Sequence, residues 1–123
     1  LKACERHAKR PMKALLLDQR YFQGMGNWMA DEVLWRAEIH PALRAGQMSR
    51  EQTLKIFNQI KFVARGAMKS VGEHGGDPPR GWLFHVRWKD GGYCPKAKIP
   101  LVREEIGGRT SCWCPTLQKL SYD

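Results

Sequence analysis

Three glycines and two prolines within eight residues, HGGDPPRG at positions 74–81, divide the chain into parts that must fold differently. Neither a helix nor a sheet interior runs through consecutive prolines, which lack the backbone N–H and fix φ, so this stretch is a loop. Before it, apolar residues recur at helical spacing; after it, short apolar runs read as strands. The expected fold is therefore mainly α with a small β element, a helical bundle over 1–80 followed by an antiparallel β-hairpin unit over 81–123. A chain of 123 residues has length for one modest core.

Within the first part, Pro11 can open a helix running through Met12 and Leu15 to Leu17. A tight turn, QGMGN, follows, with Gly24 and Gly26 supplying backbone freedom and Asn27 suited to cap the helix WMADEVLWRAEIH, which Pro41 should end. Ser49 and Gln52 form a capping box for one long amphipathic helix, interrupted at Gly66, with apolar residues at 54, 57, 60, 64, 67, 68 and 71. Beyond the loop, WLFHVRW, IPLVREEI and RTSCWCP read as strands, the last two joined as a hairpin through Gly107 and Gly108.

Lys and Arg number 21 against 12 Asp and Glu, a net charge of +9. Such an excess favours a polyanionic partner, nucleic acid first, although a basic protein can also be merely soluble. No apolar run of about 18 residues is present and the N-terminus lacks a signal-peptide pattern, so an intracellular protein with no membrane partner is expected. The nucleus would follow for a eukaryote and the cytoplasm or nucleoid otherwise, with an organelle left open. Cys4, Cys94, Cys112 and Cys114 read as thiols or metal ligands rather than a disulfide framework. His7, His40, His74 and His85 have no ligand spacing and read as surface or packing residues.

Two stretches carry candidate chemistry. Free amides at the start of a helix, backed by its dipole, bind phosphate, and the glycines of GMGN would let one approach; the same pattern also serves ordinary capping. Arg109, just past Gly107 and Gly108, could push a guanidinium from a hairpin tip onto a phosphate, or simply be a solvated turn residue. Together they would form a clamp. Of the five tryptophans, Trp28 and Trp35 share a helix and Trp82, Trp88 and Trp113 fall on strand patterns, which favours packing over base stacking.

These residues resemble a known family. KALLLDQRYFQGMGNWMADEVLWRAEIHP is similar to the helix-two-turn-helix region of the formamidopyrimidine-DNA glycosylase and endonuclease VIII family, and GGRTSCWCPTLQKL to the end of its C-terminal finger. The wording WLFHVRWK, GGRT and LQKL is closest to the plant and fungal type. The resemblance covers roughly Lys9 to Leu120 and implies the DNA-binding C-terminal part of a base-excision-repair glycosylase and AP lyase acting on oxidised bases, with damaged or abasic DNA as partner. It implies nucleic-acid contacts for Lys9, Lys13, Gly24, Gly26, Asn27, Arg109 and Thr110, and a catalytic role for Arg109 only with the N-terminal domain. Glu32 matches an acidic residue near the family's active site, or else caps or pairs within the helices.

The family's nucleophile is an N-terminal proline amine on a preceding β-sandwich domain. This chain begins LKACERH, so that domain is expected to be absent and the chain inactive alone. The short EHGGDPPRG loop resembles members whose main substrate is not 8-oxoguanine. A second reading stays open: a non-catalytic module on the same scaffold that binds structured RNA or DNA, for instance in a ribosome-like assembly.

The finger also departs from a zinc ribbon. Cys94 and Cys114 occupy first-ligand positions, but their partners would be Ala97 and Leu117, and Cys112 adds at most a third thiol. A zincless finger with no cofactor is expected, held by hairpin pairing and by packing of Ile99, Leu101, Val102 and Trp113.

Overall fold

The computed structural model describes residues 2–73 and 75–120; Leu1, His74 and residues 121–123 lie outside it, and with them the reading of His74. The order is α1 (Lys2–Arg6), α2 (Met12–Leu16), α3 (Asn27–Ala37), α4 (Arg50–Ala67), β1 (Val102–Ile106) and β2 (Arg109–Trp113). Single turns of tighter helix occur at Ala45–Gln47 and Leu83–His85, and α4 widens into a π turn over Met68–Glu73. The mainly helical fold with one antiparallel hairpin is as expected.

The helix starts follow local chemistry. Ser49 N donates to Gln52 Oε1 at 2.8 Å and Gln52 N to Ser49 Oγ at 3.1 Å, closing the box that opens α4. Gly66 does not interrupt α4: a Cβ there would lie 2.4 Å from the Trp82 ring, so the glycine is the seat of that indole. Helix α3 ends at Ala37, short of Pro41, because Glu38 turns left-handed at φ 59° and Ile39, now buried, returns its N–H to Leu34 O at 2.9 Å.

Two expectations need correction. WLFHVRW is not a strand, because Leu83 N and Phe84 N, the donors a ladder would use, are taken by the Glu32 carboxylate at 3.0 and 2.9 Å. The buried line of α4 runs through Ile56 and Val63 with Ile60 half-covered, whereas Leu54, Phe57, Met68 and Val71 are exposed. Apolar residues wrap further around this helix than one neighbour can cover, and α3 settles on the 56–60–63 line.

Two apolar clusters result. One gathers Met12, Leu15, Leu16, Ala30, Val33, Leu34, Ile39, Ile56 and Val63 between the helices. The other lies under the finger, where Trp35 and Leu83 meet Cys94, Cys112 and Cys114, with Ile99, Leu101 and Leu117 packed around them. Trp113 is buried and meets the His40 ring at 5.0 Å. Helix α3 contributes to both clusters, with Trp35 of its last turn in the second, which is how the finger comes to lie along that helix.

Candidate nucleic-acid interface

The turn before α3 is tied by side chains. Gln19 accepts from Gly24 N and donates to Met25 O, both at 3.0 Å, while Gly24 takes φ +80°. Asp18 accepts from the Arg20 and Arg10 guanidinium groups at 2.7 and 2.8 Å, and these bonds hold its carboxyl well below the usual carboxylate range. Gly26, not Asn27, takes the N-cap position, and Asn27 is the first helical residue. No side chain caps this end, and the amides of Asn27, Trp28 and Met29 donate to no acceptor among the described residues. Nothing would touch a Cβ added at Gly24 or Gly26, so the approach to these amides is open.

The finger tip is brought to the same place. Ile106 pairs with Arg109 across Gly107 and Gly108, both at positive φ (66° and 83°), the geometry of a tight two-residue hairpin turn. A Cβ on Gly107 would lie 2.9 Å from Ala14 Cβ and 3.1 Å from Ala14 N, so the tip rests directly on α2. Across 83 residues of chain, Asn27 Nδ2 donates to Thr110 O at 3.0 Å. Arg109 is exposed beside this junction, and its guanidinium makes no hydrogen bond or ion pair among the described residues. Asn27, Gly26, Arg109 and Thr110 are thus neighbours.

Behind the junction lies a buried group of charges absent from the sequence reading. Asp31 accepts from Lys13 Nζ on one oxygen and, on the other, from Arg87 Nη2 (2.8 Å), Arg87 Nε (3.1 Å) and Cys112 N (3.1 Å). Lys13 spends its other two protons on Ser111 Oγ at 2.9 Å and Thr110 O at 3.3 Å, so all three donors of an ammonium are satisfied. Burial pulls its pKa down and Asp31 works against that. Lys13 was expected on the DNA face; that reading is corrected, for its side chain is fully buried. One signal could have found the group. Asp31 lies four residues after Asn27 on the same helix face, and a carboxylate facing an anion site must itself be neutralised by cations.

Glu32 resolves towards packing. Besides the two amides of Leu83 and Phe84 it accepts from Arg36 Nε at 3.0 Å, fixing the segment that leads into the finger; burial pushes its pKa up. Lys9 is exposed in the turn between α1 and α2 and makes no hydrogen bond to the junction.

In the finger, the four positions a zinc ribbon would use do converge. Cys94, Cys114, Ala97 and Leu117 share the second cluster, so two of the four are hydrocarbon. Cys94 Sγ accepts from Trp35 Nε1 at 3.4 Å and Ala97 N at 3.3 Å; burial raises its pKa, but these bonds and one from Cys114 outweigh it and the net shift is downward. Burial, reinforced by Asp31, pushes Cys112 up to about 11. Among the described residues no helix is long and apolar enough to cross a membrane.

Comparison with known proteins fits this geometry. Residues 1–75 match the formamidopyrimidine-DNA glycosylase H2TH domain. A formamidopyrimidine-DNA glycosylase of Arabidopsis thaliana is 42% identical over 111 residues, covering 89% of this chain and 28% of the relative. The crystal structure of the MutM (Fpg) protein from Thermus thermophilus superposes with a TM-score of 0.76 at 31% identity, covering 95% of this chain and 47% of that one. The Lactococcus lactis Fpg complex with abasic-site DNA gives 0.79 at 26% identity, covering 96% and 47%. The chain thus spans less than half the length of these relatives. It belongs to the formamidopyrimidine-DNA glycosylase family, and resembles its C-terminal half.

Proposed function

We propose that this chain is the DNA-gripping part of a base-excision-repair glycosylase and AP lyase acting on oxidised bases, and that it holds the phosphates flanking an everted nucleotide. One observation carries the reading: the Asn27–Thr110 hydrogen bond sets the exposed Arg109 beside the unoccupied amides at the start of α3. Those amides and the helix dipole suit one phosphate, and the guanidinium fork suits another in bidentate fashion. Two cations against one carboxylate behind the junction add positive potential. On this reading these residues supply the grip and not the attacking amine, so borohydride should trap no adduct between these 123 residues alone and abasic DNA. Work on DNA would place the protein in the nucleus of a eukaryote or in a nucleoid. The comparisons lend the RNA-binding alternative no support.

The finger on this reading holds without zinc, since structural zinc needs four ligands and Ala97 and Leu117 fill two of the converging positions with carbon. The clamp is tested by titrating an abasic duplex at several salt concentrations. Arg109→Ala should weaken binding and lower the slope of log K against log salt by about 0.9, the loss of one phosphate contact. An unchanged slope would remove Arg109 from the interface.

A further inference from the structure

Of the five tryptophans, Trp35, Trp82 and Trp113 are buried and Trp28 is partly so, but Trp88 is 54% exposed. Its indole is held in place. The guanidinium of Arg87, itself buried, lies 4.7 Å from the ring centroid, and Phe84 meets the ring at 5.3 Å and 83°. Arg103 pins the backbone beneath it, donating to Arg87 O at 3.0 Å and Trp88 O at 3.2 Å while pairing with Asp90 at 2.8 Å. A cavity of about 360 Å³ opens beside the ring between His85, Lys89, Asp90 and Gly92. An aromatic this exposed gains little for the fold, yet one guanidinium clamps its loop at three points. Such rigidity lowers the ordering cost of binding a flat ligand.

We propose that Trp88 is a stacking platform for an unpaired nucleobase, a contact additional to the phosphate clamp and resting on the DNA-binding reading above. The same Arg87 that supports the ring is bonded to Asp31 and approaches Thr110 O at 3.5 Å, so platform and clamp are mounted on one buried group. Lys89, exposed on the cavity rim, can meet the backbone of the strand that delivers the base. A base inside an intact duplex has both faces covered; only one that has lost a neighbour offers a face to an indole.

The test uses this chain with two labelled duplexes of one sequence, one blunt and one with a short deoxyadenosine overhang, titrated by fluorescence anisotropy. Wild type should prefer the overhang. Trp88→Ala should lose about tenfold on it and nothing on the blunt duplex, with the salt slope unchanged because stacking releases no counterions. Trp88→Phe should keep most of the preference and, by keeping a ring against Arg87 and Phe84, carries the test if the alanine variant melts lower. The proposal is overturned if wild type shows no preference, if the alanine variant retains it, or if phenylalanine loses as much as alanine. Failure of wild type to bind either duplex would instead overturn the DNA-binding reading, and this proposal with it.

Discussion

Asp31→Asn changes little in volume and should be the most damaging conservative substitution in the protein. The carboxylate is 1% exposed and accepts four hydrogen bonds, three of them from two cations. Asparagine offers one oxygen, and its amide would point a donor at either Lys13 or Arg87. The loss is therefore that of a broken buried ion pair, about 3–5 kcal/mol, since two cations are left with no carboxylate in a dry site. For 123 residues the unfolding entropy is about 0.26 kcal/mol/K, so 4 kcal/mol is a fall of about 15 °C in Tm. Against a net stability of roughly 5–15 kcal/mol this approaches the limit of folding. Urea unfolding followed by tryptophan fluorescence would give the same quantity from the midpoint, with the m-value unchanged if the transition stays two-state. Lys13→Met combined with Asp31→Asn removes one stranded cation, and the double variant should recover about 1–3 kcal/mol relative to the sum of the single changes. An Asp31→Asn protein melting within about 4 °C of wild type, or strictly additive effects, would refute the argument that these charges are mutually dependent.

Three further outcomes are expected. Gly107→Ala and Gly108→Ala both force alanine to positive φ at about 1–2 kcal/mol, but only position 107 also meets Ala14; its variant should melt lower by a further 1–3 kcal/mol (roughly 4–12 °C) and bind DNA more weakly, and equal melting would remove the tip-to-α2 contact. His40 is held below its ordinary pKa by burial, and its Nδ1 accepts from Ala42 N at 2.9 Å, so the unfolded chain binds the proton more readily. Its contribution is complete above about pH 6.5 and is lost as pH falls through the depressed folded value, so His40→Gln should flatten the stability profile below pH 6.5 and an unchanged profile would exclude the effect. Dialysis against a strong chelator should leave Tm unmoved, and one tightly held zinc per chain in the purified protein would refute the zincless finger.

Features encoded by neighbours in sequence were legible. The Ser49–Gln52 box, the glycine turn before α3 and the Gly107–Gly108 hairpin each close within a few residues, so their residue types announce them. What was hidden depends on distant partners. Nothing in WLFHVRW says that Glu32, about fifty residues earlier, will take its amides, and nothing near Lys13 says that Asp31 and Ser111 will bury its ammonium. The face of α4 was misread for a related reason: its apolar residues allow more than one helical line, and only the position of α3 selects among them. The surface positions of Asn27 and Arg109, which the proposed clamp uses, were within reach because they depend on a local turn or on being left exposed. The charges that support them were not.

The Lys13–Asp31–Arg87 group has one consequence for how the interface meets its partner in a cell. Dissolved ions weaken the pull of exposed lysines, whose field at 0.15 M salt fades over about 8 Å. They cannot approach charges sealed behind Thr110 and Ser111. The surface lysines and Arg109 would supply attraction that rises and falls with ionic strength, while the enclosed excess of one positive charge supplies a floor beneath it. On the proposed reading, such a grip would relax from most of the DNA as salt increases, yet keep a residual hold wherever a phosphate sat against α3.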